Sequence, residues 1–156
     1  MKKMIRCWGS CASGSCGKVA AAIGLLVLRI GFGGLMAFQH GWSKLTGFSA
    51  MAESFPDPLG VGHMASLALV VGAEFFCALL LVAGLLTRVA AIPLIINMAV
   101  AVFMIHGADP LEKKELALLY LIPYVTIFLC GPGAISIDGL IRKLVVRPEE
   151  GVARNQ

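Results

Sequence analysis

Arg29 sits inside the apolar run Gly24-Leu-Leu-Val-Leu-Arg-Ile-Gly-Phe-Gly-Gly-Leu35, a guanidinium that proteins do not deprotonate surrounded by side chains that offer it nothing. Glu74 interrupts a second apolar run and Asn97 a third. A lone charge inside a membrane costs at least ~2.5 kcal/mol, so an arginine and a carboxylate at similar depth are expected to pair, with Asn97 bridging to either. Such a trio could simply lock helices together through interhelical hydrogen bonds. Buried ion pairs are poor stabilisers, however, and apolar replacements often serve as well. Intramembrane ionisable groups are functional candidates by default, so Arg29, Glu74 and Asn97 are read as a site and not as mere glue.

A second group forms when the chain is threaded through a bilayer. His40, Lys44, His63, His106 and Glu115 all flank apolar runs on one side of it, with Trp42 suited to the aromatic belt there. Histidine titrates near neutral pH and ligates metals, so three at one face could hold a metal, pass protons or bind a polar head group. No two of them lie close together on one helix, which ranks a metal site behind plain interfacial polarity. Haem, which would need histidines facing each other at one depth, ranks low.

The elements that must carry these residues follow from composition. With 58% hydrophobic and 14% charged residues and a mean hydropathy of +0.87, the chain is far less charged than soluble domains. A helix crosses about 30 Å of hydrocarbon with roughly 20 apolar residues. Residues 19–38, 64–86, 89–104 and 110–130 supply four such runs. The expected fold is all-α: a four-transmembrane-helix bundle at 19–131, a cysteine-containing tail at 1–18, and a short C-terminal interfacial amphipathic helix within 132–156. Asp109 and Pro110 suit the start of the fourth span, and Pro93 and Pro123 bend the third and fourth. About ten residues in from opposite ends, Arg29 and Glu74 each lie roughly 15 Å deep.

Lys2, Lys3, Arg6, Lys18, Arg88, Arg142, Lys143, Arg147 and Arg154 fall on one side of these spans, and only Lys44, Lys113 and Lys114 on the other. The positive-inside rule then puts both termini in the cytoplasm. The net charge of +4 is a topology signal and no reason to expect nucleic-acid binding. The first span is too long for a signal peptide and lacks a cleavage site. Gly31, Gly34 and Ala37 on one side of it would admit a second copy of the chain as a homodimer.

Cys7, Cys11 and Cys16 fall in Cys7-Trp-Gly-Ser-Cys-Ala-Ser-Gly-Ser-Cys16, outside the two-residue spacing of zinc and redox pairs. They stay metal candidates of low rank, in a tail otherwise read as flexible. No Gly-rich phosphate loop, zinc-protease helix or nucleophile elbow occurs.

The ordered series Leu28-Arg29, Phe38-Gln-His-Gly-Trp-Ser-Lys-Leu45, Glu74, Gly84-Leu-Leu-Thr-Arg-Val-Ala-Ala91, Glu115-Leu-Ala-Leu-Leu-Tyr120 and Gly131-Pro-Gly-Ala-Ile-Ser-Ile-Asp138 resembles the DoxX/DoxD-like family of small bacterial membrane proteins. The resemblance covers roughly residues 23–140 and leaves the cysteine tail unexplained. It implies a multi-pass protein of the bacterial inner membrane; some relatives are small subunits of a thiosulfate:quinone oxidoreductase and others associate with redox-stress enzymes. On that reading Arg29, Glu74 and Asn97 line an intramembrane pocket for a quinone, and His40, Lys44, His106 and Glu115 form its polar mouth. No electron carrier is identifiable in the chain, so a separate oxidoreductase partner is implied, and whether the chain is itself an enzyme stays open. The alternatives are a small-solute or proton transporter, for which a midplane charged pair is equally natural, and a scaffold without activity of its own.

Overall fold

The computed structural model describes residues 15–146, and every regular element among them is helical. Among the described residues, three helices are long and apolar enough to cross a membrane: α1 over Gly17–Thr46, α2 over His63–Ala83 and α3 over Thr87–Ile105. A further helix, α4, covers Leu111–Cys130 and packs along α3. Glu112, Lys113, Lys114 and Glu115 fill its first turns and set it apart from the three apolar helices. A last helix, α5 over Ile137–Val146, places Arg142 and Lys143 among exposed Leu140, Ile141, Leu144 and Val145.

Two helix ends differ from what run length predicts. α1 continues past Phe38 to Thr46 because Ser43 and Thr46 turn their hydroxyls back onto the carbonyls of Gln39, His40, Trp42 and Ser43, so polar residues extend the helix without needing outside partners. α2 stops at Ala83, not Leu86, because Gly84 takes a left-handed conformation at φ 71°. The Gly84 N–H then donates to Leu81 and the Leu85 N–H to Leu80, closing the last carbonyls of the helix.

α1 and α2 run antiparallel, and a glycine sets how closely. A Cβ on Gly41 would lie 2.7 Å from the Glu74 carbonyl oxygen and 2.8 Å from the Phe75 Cα, so the two backbones touch there. The core that follows is built from Met36, Ala37, Ala78, Leu81, Ala91, Leu94, Met98, Tyr120, Tyr124 and Ile127. Its buried alanines let helices approach where apolar solvent gives no driving force for association. Ala37 is among them and points inward, so it does not share a face with Gly31 and Gly34, where an added Cβ would meet nothing within 4 Å. Val27, Leu69, Val89, Ile96, Phe103 and Leu129 point outward, as helices in lipid require.

Asp138, at the start of α5, ties that helix to the bundle. Its carboxylate accepts from the backbone N–H of Leu86 at 2.8 Å and of Thr87 at 2.9 Å, and from the Thr87 hydroxyl at 3.0 Å, capping the first turn of α3. Burial opposes its ionisation, but these donors outweigh burial and hold the carboxyl below its usual range. A depressed carboxylate stabilises the fold above its ordinary titration range, and that contribution disappears as pH falls through its lowered value. Asp138→Asn is expected to cost ~1 kcal/mol at neutral pH. In detergent melts the variant and the parent should converge as pH falls through the lowered carboxyl range; a constant gap at every pH would refute the carboxylate cap.

Candidate functional site

Arg29 and Glu74 do not meet, which corrects the expectation that they pair. The antiparallel register sets Arg29 opposite Leu81 and Val82, and Gly41 opposite Glu74. The interval from Arg29 to Gly41, at about 1.5 Å per residue, is roughly 18 Å, beyond any side chain's reach. Arg29, 1% exposed, instead donates from Nε to the Leu81 carbonyl at 3.0 Å, from Nη1 to Ile135 at 2.9 Å and to Pro132, and from Nη2 to Val82 at 3.1 Å. It satisfies the C-terminal carbonyls of α2, where a cation also suits the helix dipole, and pins the 132–135 segment across them.

Glu74 finds different partners. Its Oε2 takes the Lys44 ammonium and its Oε1 accepts from Asn97 Nδ2 at 2.9 Å, joining α1, α2 and α3 through one carboxylate that is 5% exposed. Lys44, expected at the mouth, therefore belongs to a polar chain with Glu74 and Asn97 in which Glu74 is buried and the other two are half-buried. The contact of Gly41 with the Glu74 backbone puts the next turn of α1, which carries Lys44, over this carboxylate.

Two cavities share the Lys44–Glu74 pair as a wall. The larger, about 500 Å³, runs between α2 and α3 beneath the segment from Phe55 to Leu59, and is mostly apolar apart from Lys44, Glu74, Asn97, Ser66 and His106. The smaller, about 250 Å³, is bounded by α1, α3 and α4 and lined by His40, Lys44, Glu74, His106, Lys113 and Tyr120 among others. Lys44, Glu74, Met98, Ala101 and His106 face both.

Helix irregularities accompany several of the polar residues set into these apolar helices, although Lys44 and Asn97 lie in regular α-helix. α1 widens into π turns at Arg29–Gly33 and at Met36–Gly41, α2 at Gly72–Cys77 and α3 at Ala101–Ile105. Arg29, His40 and Glu74 lie within them and His106 follows the last. A π turn re-aims side chains that a regular helix would send elsewhere, and such turns gather at functional sites.

The remaining expected residues divide. His40 packs edge-on against the Tyr120 ring, centroids 5.7 Å apart. His106 Nδ1 lies 2.9 Å from an Asp109 carboxylate oxygen, and Lys113 Nζ lies 3.6 Å from the other. Its hydrogen bond with His106, aided by Lys113, keeps the Asp109 carboxyl below its usual range. Asp109 thus serves His106 and does not cap α4, whose N-cap Pro110 carries no side-chain cap bond. Glu115 is exposed and lines neither cavity, a second correction: at the start of α4 it turns to the outside, while Lys113, though exposed, borders the smaller cavity. His63 lines neither cavity; its Nδ1 lies 2.6 Å from the carbonyl oxygen of Phe55, which borders the larger one. Cys7 and Cys11 lie outside the described residues, and of Cys16 only the backbone is described. Tyr120 and Asp109 were legible in sequence only as an aromatic and a helix-start residue, since nothing local shows which face they turn to.

The DoxX family model matches residues 24–107, a region that holds Arg29, His40, Lys44, Glu74, Asn97 and His106. An uncharacterized protein of Haemophilus influenzae is 29% identical over 139 residues, which cover 81% of this chain and 88% of that protein. No solved structure matches.

Proposed function

The chain belongs to the DoxX family, and on that premise we propose that it is a membrane component of a redox system that binds a quinone beside Lys44, Glu74 and Asn97 and works with a separate oxidoreductase partner. In this reading α4 is a fourth span, since 20 residues reach about 30 Å. α5 lies on the cytoplasmic interface of the inner membrane with its basic residues toward headgroups. The excess of Lys and Arg at the Arg29 end puts both termini in the cytoplasm and the histidines on the opposite face.

The observation that carries the reading is the shared wall. A quinone needs an apolar slot for ring and tail and a few polar groups for its oxygens, and ligand pockets run about 300–1,000 Å³. The 500 Å³ cavity has that size and character, with Lys44, Asn97 and His106 at its polar side. These residues would bind and orient the head group; a bound quinone would supply the two-electron chemistry that side chains lack. The smaller cavity, polar through His40, Lys113 and Tyr120, offers water and proton exchange with the histidine face.

Organic extraction of protein purified in mild detergent should release near-stoichiometric quinone. Ala101→Phe, which fills the junction of the cavities and leaves every polar group in place, should lower the content at least tenfold. Extracts empty of quinone, from protein that also fails to bind an added short-chain quinone, would refute the reading. Two cavities meeting at one ion pair also suit a proton or small-solute pathway, and proteoliposomes showing proton flux sensitive to Ala101→Phe would favour that role.

A further inference from the structure

His106 stands at the junction of both cavities, and one of its ring nitrogens is already engaged. Asp109 Oδ2 lies 2.9 Å from Nδ1, close enough for a hydrogen bond and on an oxygen that, ionised, only accepts. Nδ1 must therefore carry the hydrogen, and in the neutral ring Nε2 is left as a bare acceptor. The arrangement is braced from several sides. The Asp109 N–H donates to the His106 carbonyl at 3.0 Å, Lys113 stands 3.6 Å from the second Asp109 oxygen, and Lys114 holds the intervening turn through the Gly107 carbonyl at 2.8 Å. The turn thus fixes a ring orientation, as a carboxylate behind a histidine commonly does.

The chemistry around the cavity makes that acceptor informative. Lys44 and the Asn97 amide nitrogen donate hydrogen bonds, suited to a carbonyl oxygen, and the Asn97 amide oxygen can accept one. Glu74, the cavity's carboxylate, already accepts from both of them. A ligand with two hydroxyls would need an acceptor beyond the Asn97 amide oxygen. We propose that Asp109 is a positioning residue which holds His106 as the Nδ1–H tautomer, so that Nε2 accepts a hydrogen bond from the hydroxyl of a reduced, quinol-type ligand and lets the site discriminate quinol from quinone. The proposal rests on the quinone reading above and names a residue outside the apolar helices as the source of that discrimination.

The chain has three histidines, so ¹⁵N-histidine labelling gives a spectrum simple enough to assign with His106→Gln. In its neutral form His106 should show Nδ1 protonated and Nε2 bare. A short-chain quinol should shift the Nε2 resonance, whereas the matching quinone should not. Asp109→Asn should release the tautomer preference and weaken quinol binding about five- to tenfold, the worth of one hydrogen bond. Its quinone affinity and melting temperature should stay near those of the parent. An Nε2–H tautomer in the parent protein overturns the proposal. A quinol that shifts the Asn97 side-chain amide but leaves His106 Nε2 unmoved overturns the acceptor role alone. A quinol that shifts neither sinks the quinone reading and this inference with it.

Discussion

Glu74→Gln is expected to strip the purified protein of quinone while leaving it folded. The amide keeps an acceptor for Asn97 Nδ2, so the tie to α3 survives. Lys44 loses its counter-charge, but its side chain is 23% exposed and its ammonium can move toward water in the smaller cavity. The stability loss should therefore be ~1–2 kcal/mol, short of the ~3–5 kcal/mol expected when half of a sealed ion pair is removed. The ligand loses more. A displaced Lys44 forfeits a charge-assisted hydrogen bond of ~1.5–3 kcal/mol, a fall in affinity of roughly 10- to 100-fold. Quinone content and melting temperature, measured on the same preparations, separate the outcomes. Collapse of both together would make Glu74 a structural tie, and unchanged quinone would move the site elsewhere.

Arg29→Leu should be the most damaging single substitution at the opposite end of the bundle. The guanidinium is 1% exposed and bonded to the carbonyls of Leu81, Val82, Pro132 and Ile135, so its loss orphans the end of α2 and frees the segment leading to α5. Leu81 keeps the Gly84 N–H, and at about 1 kcal/mol for each of the other three acceptors, the low end of the usual range, the sum approaches 3 kcal/mol. That is a large share of a typical ~5–15 kcal/mol stability, and little folded protein should be recovered. Arg29→Lys keeps a cation at the helix end but lacks the fork that reaches two sides at once. It should fold with a lowered melting temperature and keep its full complement of quinone, because Arg29 lies roughly 18 Å along α1 from Glu74. A stable Arg29→Lys protein without quinone would return Arg29 to the ligand site.

Composition and the length of the apolar runs were enough for an all-helical membrane protein, because a bilayer admits few ways to satisfy the backbone and a span has to be long and apolar. They were also enough to single out Arg29, Glu74, Asn97, His40 and His106, since a polar residue in an apolar helix stands out without neighbours. Which of these residues meet was not in the runs. Depth counted from each helix end put Arg29 level with Glu74, and it failed because α1 is longer than its apolar stretch and slides along α2 until Gly41 touches the Glu74 backbone. That register gives Glu74 to Lys44 and sends Arg29 to carbonyls that exist only once Gly84 has ended α2. Asp109 likewise reads as a helix cap in sequence and becomes the partner of His106 only when the turn after α3 folds back. Residue types are local properties, whereas contacts between helices depend on axial shift and rotation. Those are chosen by close packing of side chains far apart in the chain, and only the tertiary structure decides them.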